Sequence, residues 1–476
     1  MAETTNQPSP GKPLRWYEGI TPYQWWVMII AAMAWGLDTM AQRLFILVRT
    51  PALKNLMGHL AETTSPEKFD KIIKQFGTYS TASMMVGWAI GGFYFGIVGD
   101  RWGRTKTLSV SILAYSIFTG LSGFSMSWWD FCIYRFLMGC GIGGAFATGA
   151  TLIAETVPSH SRAWALGLFQ ALSAVGNIFA SLVSKIILPS GVFLSLPGWR
   201  ILFFMGAVPA ILVFFIMKTI REPDAWLAAR ASANAEDKLA KQMGDIRGMF
   251  TNPRWRRNTV VGMVLAASGV VGLWGVGFWT PELIRHAMKT ELEQRQGMPE
   301  DPIEKAAVLA TLKTKADGVI ATGTALQDVG AFFGMFAFTF VATRFGRRIS
   351  FGISFIVALL VVSFAFLTLS KEWHVYVLLP MIGFVTLSVF GGYSIYFPEI
   401  FPTRFRATGT AFCYNAARIV TAVVIVMGGA IQDGLKNLGV TEVFRWGAVI
   451  LCSFYLIGLV ALIWAPETKD QPLPED

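Results

Sequence analysis

Stretches of about 20 apolar residues, the length that crosses ~30 Å of hydrocarbon at 1.5 Å per residue, recur along the whole chain. They lie near 24–48, 79–98, 108–126, 130–154, 163–187 and 199–217, and again near 259–282, 319–342, 349–369, 374–397, 408–431 and 446–464. That makes twelve windows, six on each side of a polar break. In hydrocarbon every backbone amide must be satisfied inside the protein, and an α-helix does so within its own segment. The reading is an all-α membrane protein of twelve transmembrane helices. With 54% hydrophobic and 15% charged residues, the composition belongs to that class rather than to a soluble domain.

The net charge of +10 would suggest nucleic acid in a soluble protein. Here the Lys and Arg fall in short loops on alternate sides of the spans, so the expected partner is a lipid bilayer and not nucleic acid. One set of loops holds Arg101, Arg104 and Lys106, then Arg162, then Arg344, Arg347 and Arg348, then Arg404 and Arg406. The opposite loops "SMSWW" and "SKEWH" hold almost none, which predicts that both termini are cytoplasmic. Residues 1–21 form a polar, Pro-rich tail without the apolar core of a signal peptide. The expected organisation is a tail (1–21), a six-helix bundle (22–217), a cytoplasmic linker with short helices (218–257), a second six-helix bundle (258–465) and a tail (466–476). Two longer segments, about 49–78 and 283–318, are expected to form small external helices. The four cysteines lie in or at the ends of apolar stretches without metal-ligand spacing and read as packing residues. His59, His160, His286 and His374 form no cluster, so neither a metal nor another cofactor is expected.

The two halves echo each other. After the second span comes "GIVGDRWGRTK", and after the eighth "VATRFGRRIS". Gly96 and Gly99 allow close helix approach, and Asp100 can offer its charge to a helix N-terminus or to a neighbouring Arg. "RFLMGCGIGG" follows in the fourth span, "AETVPSHSR" and "PEIFPTRFRATGT" follow the fourth and tenth, and "APETKD" follows the last.

These motifs in register resemble the major facilitator superfamily over nearly the whole chain. The resemblance implies two pseudo-symmetric six-helix bundles rocking around a midplane site, and a secondary transporter rather than an enzyme. It also implies a conformational latch, here Gly96, Asp100, Arg101, Gly103 and Arg104 with Glu155 and Arg162, repeated as Arg344, Gly346, Arg347, Glu399 and Arg404. Thr343 stands where the first copy has Asp100, so the latch is expected to be asymmetric. No Walker loop is present, which leaves gradients as the energy source.

Charges inside the spans narrow the function further. Asp38 sits near the middle of the first span with Gln42 one turn later, a polar stripe suited to a central cavity. A carboxyl group in such a cavity can take a proton on one side and release it on the other. Its position resembles the first-span Asp of aromatic-acid and metabolite proton symporters, whose D-G-x-D pattern survives here only as its second Asp, Trp35 standing at the first. The alternative is a structural salt bridge to Arg43 or Arg135. Arg43 lies about 140° round the helix from Asp38 and is expected toward the outer end of the cavity.

Arg418 is the only charge in the eleventh span, with Asn415 and Tyr414 on the same face. A guanidinium matches a carboxylate bidentately, making Arg418 the candidate anchor for an anionic substrate; the alternative is a buried pair with Asp328 of the eighth span. Gln170, Ser173 and Asn177 make a polar stripe for substrate or for helix packing. Arg135 begins the fourth-span motif that the superfamily associates with proton coupling, its alternative being to snorkel to the interface. Trp274, Trp279, Tyr393 and Tyr396 are candidates for lining the cavity or for interfacial belts.

The leading expectation is proton-coupled symport of a small organic anion, a monocarboxylate or aromatic acid, across the inner membrane by a monomer. Proton coupling is assigned to Asp38, Asp328 and Arg135. Substrate binding is assigned to Arg418, Asn415, Tyr414, Gln42, Arg43, Gln170 and Asn177. The alternatives are a sugar or polyol proton symporter and a transporter-like nutrient sensor.

Overall fold

The computed structural model describes residues 15–188, 192–193, 196–235, 243–296, 299 and 301–475. The first half contains α1 (Pro22–Leu56), α2 (Pro66–Trp102), α3 (Arg104–Ser122), α4 (Trp128–Thr156), α5 (Ser159–Ile187), α6 (Gly198–Met205) and α7 (Ala210–Thr219). The connector carries α8 (Asp224–Ala235) and α9 (Ile246–Thr251). The second half contains α10 (Pro253–Gln296), α11 (Pro302–Phe345), α12 (Arg347–Thr368), α13 (Glu372–Glu399), α14 (Arg406–Val426), α15 (Gly428–Asn437), α16 (Val443–Cys452) and α17 (Phe454–Ala461). The only strands among the described residues are the two-residue β1 (Val192–Phe193) and β2 (Leu196–Pro197), paired antiparallel ahead of α6.

Helix lies over all twelve apolar windows, and three windows are broken. The sixth divides into α6 and α7 around Pro209, whose missing N–H interrupts the ladder. The eleventh bends by 45° between α14 and α15 at a Gly pair, and the twelfth divides at Ser453. Nine helices among the described residues are long and apolar enough to cross a membrane, or ten counting the bent pair. The other two windows, in α1 and α3, are diluted by polar residues that face protein rather than lipid. In α3, Ser109 bonds back to the Thr105 carbonyl, Thr119 to Tyr115, and Ser111 reaches the Gly141 carbonyl of α4 at 2.5 Å. Against the expectation of small external helices, these segments mostly prolong the spans, with one separate 3-10 turn at Gly58–Leu60 among the described residues: α10 reaches Gln296 and α11 begins at Pro302. Continuing an existing helix avoids the cost of a new nucleus.

Without a hydrophobic force between helices in lipid, close association depends on small residues. In the first bundle, Gly87 and Gly91 of α2 meet the carbonyls of Phe136 and Cys140, while Gly139 and Gly143 of α4 meet those of Met84 and Trp88. The second bundle repeats this between α11 and α13: Gly330 and Gly334 lie against the carbonyls of Pro380 and Phe384, and Gly383 against Gln327. Large apolar residues such as Ile90, Phe214, Leu360 and Ile457 are exposed on the outside, where lipid replaces water. The bundles meet along α2 with α14 and along α5 with α11.

A Cβ on Gly330 would stand 2.0 Å from the Pro380 carbonyl oxygen, whereas one on Gly277 meets nothing within 4 Å. Gly330→Ala is therefore expected to cost ~1–3 kcal/mol, seen as a lower melting temperature of the detergent-solubilised protein, and Gly277→Ala to leave it in place.

Candidate functional site

Asp38 is fully buried in the middle of α1, and its Oδ2 accepts a hydrogen bond from Gln42 Nε2 at 3.2 Å. Neither Arg43 nor Arg135 pairs with it. The cation that interacts with it electrostatically is Arg418 of α14, across the line between bundles, and no ion pair joins the two. The Arg418 guanidinium lies 3.2 Å from the ring centre of Trp88 on α2 and 4.7 Å from that of Tyr414. Tyr414 stacks on Phe146 at 3.9 Å, and Phe146 packs against Trp35 at 5.2 Å. Asn415 sits beside this layer against Gly92, its Nδ2 donating to the Ala411 carbonyl. The side chains of Trp35, Asp38, Trp88, Gln170, Asn415 and Arg418 each keep a buried polar atom without a hydrogen-bond partner among the described residues. Such atoms cost free energy unless something else engages them.

Asp328 does not reach Arg418. Its Oδ2 lies 3.3 Å from Nη2 of Arg43, and its Oδ1 accepts from Asn177 Nδ2 at 3.3 Å, tying α11 to α1 and α5. Arg135 neither snorkels nor meets a carboxylate among the described residues. It is fully buried, donates to Ser122 Oγ and to the Phe118 carbonyl, and lies 4.7, 5.3 and 5.7 Å from the rings of Phe203, Phe45 and Phe131. Cation–π attraction holds a desolvated guanidinium where no anion does.

The end of the bundles that carries the connector is closed by charge. Asp100, at the end of α2, accepts from the Ala407 amide at 3.2 Å, the Thr408 amide at 2.8 Å and the Thr408 hydroxyl at 2.5 Å, capping α14 of the other bundle. Arg104 pairs with Asp100 at 3.0 Å and forks onto both oxygens of Glu155 at 3.0 Å. Arg406 reaches Glu155 Oε1 at 2.7 Å from the second bundle. Half of this arrangement is duplicated: Arg347 forks onto Glu399 at 3.0 and 2.8 Å, but Thr343 bonds only to its own helix. Gly103 and Gly346 have φ of 116° and 98°, which Gly adopts without steric cost. Behind them Glu222 accepts from the amides of Thr105 and Lys106, and Glu467 from those of Arg347 and Arg348.

A family model described as sugar (and other) transporter matches residues 53–252 and 311–475. The chain belongs to that family. A probable 4-methylmuconolactone transporter of Cupriavidus pinatubonensis is 27% identical over 95% of this chain and 93% of its own length. The cis,cis-muconate transport protein of Acinetobacter baylyi is 26% identical over 82% of this chain and 84% of its own. Among solved structures, the major facilitator superfamily proton:xylose symporter XylE bound to 6-bromo-6-deoxy-D-glucose superposes with a TM-score of 0.70 at 18% identity, covering 95% of this chain and 98% of that one. The fold is thus that of the superfamily, and the chain is a multi-pass membrane transporter.

Within the transporter the expected residues divide into three places. Asp38, Gln42, Tyr414, Asn415 and Arg418 gather at the centre. Arg43, Asn177 and Asp328 gather toward the far end. Asp100, Arg104 and Glu155, with Gly96 packed on Ala411, gather at the connector end. Arg101 donates to the Met243 carbonyl and Arg162 to that of Ala154, while Arg344 is exposed beside Phe345. Gln170 is buried, and Tyr393 and Tyr396 pack in the second bundle rather than forming a belt. Trp274 is half-buried, and the side chain of Trp279 lies outside the described residues.

Sequence reasoning missed Arg406, Glu222 and Glu467, and took Arg404 for the counterpart of Arg162. The signal was present: Arg406 stands seven residues after Glu399, as Arg162 does after Glu155. Trp88 was missed because nothing along α2 marks which of its aromatic residues faces α14. Because Asp100 supplies the acceptors for two α14 amides, Asp100→Ala is expected to speed hydrogen exchange at Ala407 and Thr408 by about tenfold or more. Thr343→Ala leaves those two amides protected, as amide-resolved exchange would report.

Proposed function

We infer that this transporter moves a small organic anion together with protons by alternating access, with Arg418 as the anion's anchor and Asp38 as the proton carrier. The observation that carries the reading is Arg418 itself: a guanidinium with 2% exposure, held between two aromatic faces, with no carboxylate in ion-pair range among the described residues. A permanent charge in that place is costly unless a ligand or a nearby anion offsets it. Asp38 offsets it through space, and a substrate carboxylate would do so by contact. When the substrate binds, Asp38 is relieved of its role as counter-charge and is best protonated, which couples the two cargoes. The names of the muconolactone and muconate transporters, both relatives that handle organic acids or their lactones, agree with this chemistry.

The connector-end network and the Arg43–Asp328 tie are read as the two gates. One breaks when the bundles open toward the cytoplasm, the side to which the excess of Lys and Arg in the short loops assigns both termini in this reading. The other breaks when they open outward. The loop residues Arg101, Gly103, Arg162, Gly346, Arg347 and Glu399 support the first gate from within each bundle. Arg135, Gln170 and Asn177 shape the walls of the path. A monoanion carried with one proton is electroneutral, so a gradient of one pH unit supports about tenfold accumulation. Each additional proton adds ~2.3 kcal/mol per 100 mV of membrane potential.

The test is uptake into proteoliposomes with an inward-acid gradient, using labelled lactate, benzoate, nicotinate and a hexose. Acid uptake is expected to rise with the gradient, to fall at least about a hundredfold in Arg418→Ala, and to lose its gradient dependence but not its counterflow in Asp38→Asn. Hexose uptake that survives Arg418→Ala would instead establish the sugar porter.

A further inference from the structure

The centre of the molecule holds more hydrogen-bonding capacity than one carboxylate can use. Trp35, at 2% exposure, has its indole Nε1 enclosed and without a partner among the described residues. An indole N–H only donates, and a buried one ordinarily finds an acceptor. Asp38, three residues further along α1, also keeps Oδ1 unpartnered, so these two groups have not satisfied each other. Trp35 is joined to Arg418 through a chain of ring contacts: Trp35 tilted at 56° against Phe146, Phe146 stacked on Tyr414, and Tyr414 against the guanidinium. Trp35 also stacks on Phe169 at an interplanar angle of 21°, and Phe169 in turn touches Phe146 at 6.1 Å. The site is thus a cluster of aromatic rings with a cation at one end and an unpaired N–H donor at the other.

We propose that the substrate is a flat, conjugated or aromatic acid with a second oxygen acceptor remote from its carboxylate, the carboxylate binding Arg418 and the second oxygen accepting the indole N–H of Trp35. This rests on the organic-anion reading above and adds to it the shape of the acid and a specificity-determining residue. Flat π-systems fit between aromatic faces, whereas a saturated ring is too thick to do so without spreading them. The N–H then discriminates: an acid that leaves it unpaired forfeits a buried hydrogen bond, while an acid with a carbonyl, lactone or carboxylate oxygen at the right distance keeps it. Because the donor belongs to a side chain that also packs the bundle, removing the N–H alone requires Phe rather than Ala at this position.

The experiment is equilibrium binding to the full chain in detergent with two nearly isosteric monoanions. One is 4-formylbenzoate, with a carbonyl opposite its carboxylate; the other is 4-methylbenzoate, without one. The wild type is expected to bind the formyl compound about tenfold more tightly. Trp35→Phe is expected to bring its Kd to that of the methyl compound, and Arg418→Ala to weaken both alike. Equal binding of the two acids by the wild type overturns the second contact while leaving the organic-acid reading in place, and needs no variant to fold. A preference that survives Trp35→Phe overturns the assignment to Trp35. Failure of the folded wild type to bind either acid removes the organic-acid reading and this inference with it.

Discussion

One carboxylate, Asp100, ends a helix of the first bundle and caps the first amides of a helix of the second. A helix N-terminus leaves its leading N–H groups unpaired, and inside a membrane protein they have no water to turn to. By taking the Ala407 and Thr408 amides, Asp100 makes the closed connector face depend on both bundles at once. Arg104 and Glu155 then hold Asp100 in position, and Arg406 brings a second charge across the same line. A buried network of this kind adds less to stability than its number of contacts suggests, because each charge has been stripped of solvent. What it supplies is a two-state contact: fully made, or broken when the bundles part.

The two halves share more than their loops. The Gly-mediated approach of α2 to α4 recurs between α11 and α13, and the fork of Arg104 on Glu155 recurs as Arg347 on Glu399. Even the cap behind each loop is repeated, by Glu222 and by Glu467. Against that regularity the departures stand out. Thr343 in place of an acid leaves the second half without a counterpart of the Asp100 cap, so among the described residues α14 alone is capped in this way from the opposite bundle. The charges that lie within the spans have no counterparts by symmetry: Asp38 and Arg43 belong to the first half, Asp328 and Arg418 to the second. Symmetry builds the frame, and the exceptions to it sit where a cargo would pass.

Among those charges the structure makes two different uses of arginine. Arg135 is surrounded by phenylalanines and a serine, an arrangement that fixes it without any anion. Arg418 lies between Trp88 and Tyr414, within electrostatic reach of Asp38. The first is a closed environment. The second has the components of a ligand site, in which aromatic faces set the plane and the guanidinium sets the end.

Much was legible in the residues alone. The twelve windows follow from hydropathy, because hydrocarbon thickness sets helix length. The paired loops follow from their spacing, and the candidate charges follow from being where lipid would not tolerate them. Helical periodicity also put Asp38 with Gln42, and Tyr414 with Arg418, because positions three or four apart share a face whatever surrounds them. What the periodicity leaves open is the partner opposite that face. Whether Asp328 meets Arg418 or Arg43, whether Arg135 reaches an acid or an aromatic cage, and which tryptophan lies under Arg418 all depend on the depth and rotation at which helices pack. Those are set by glycines pressed against carbonyls on a neighbouring helix, contacts that no single span contains. The sequence therefore determined which residues had to be inside, and the tertiary structure decided which of them could touch.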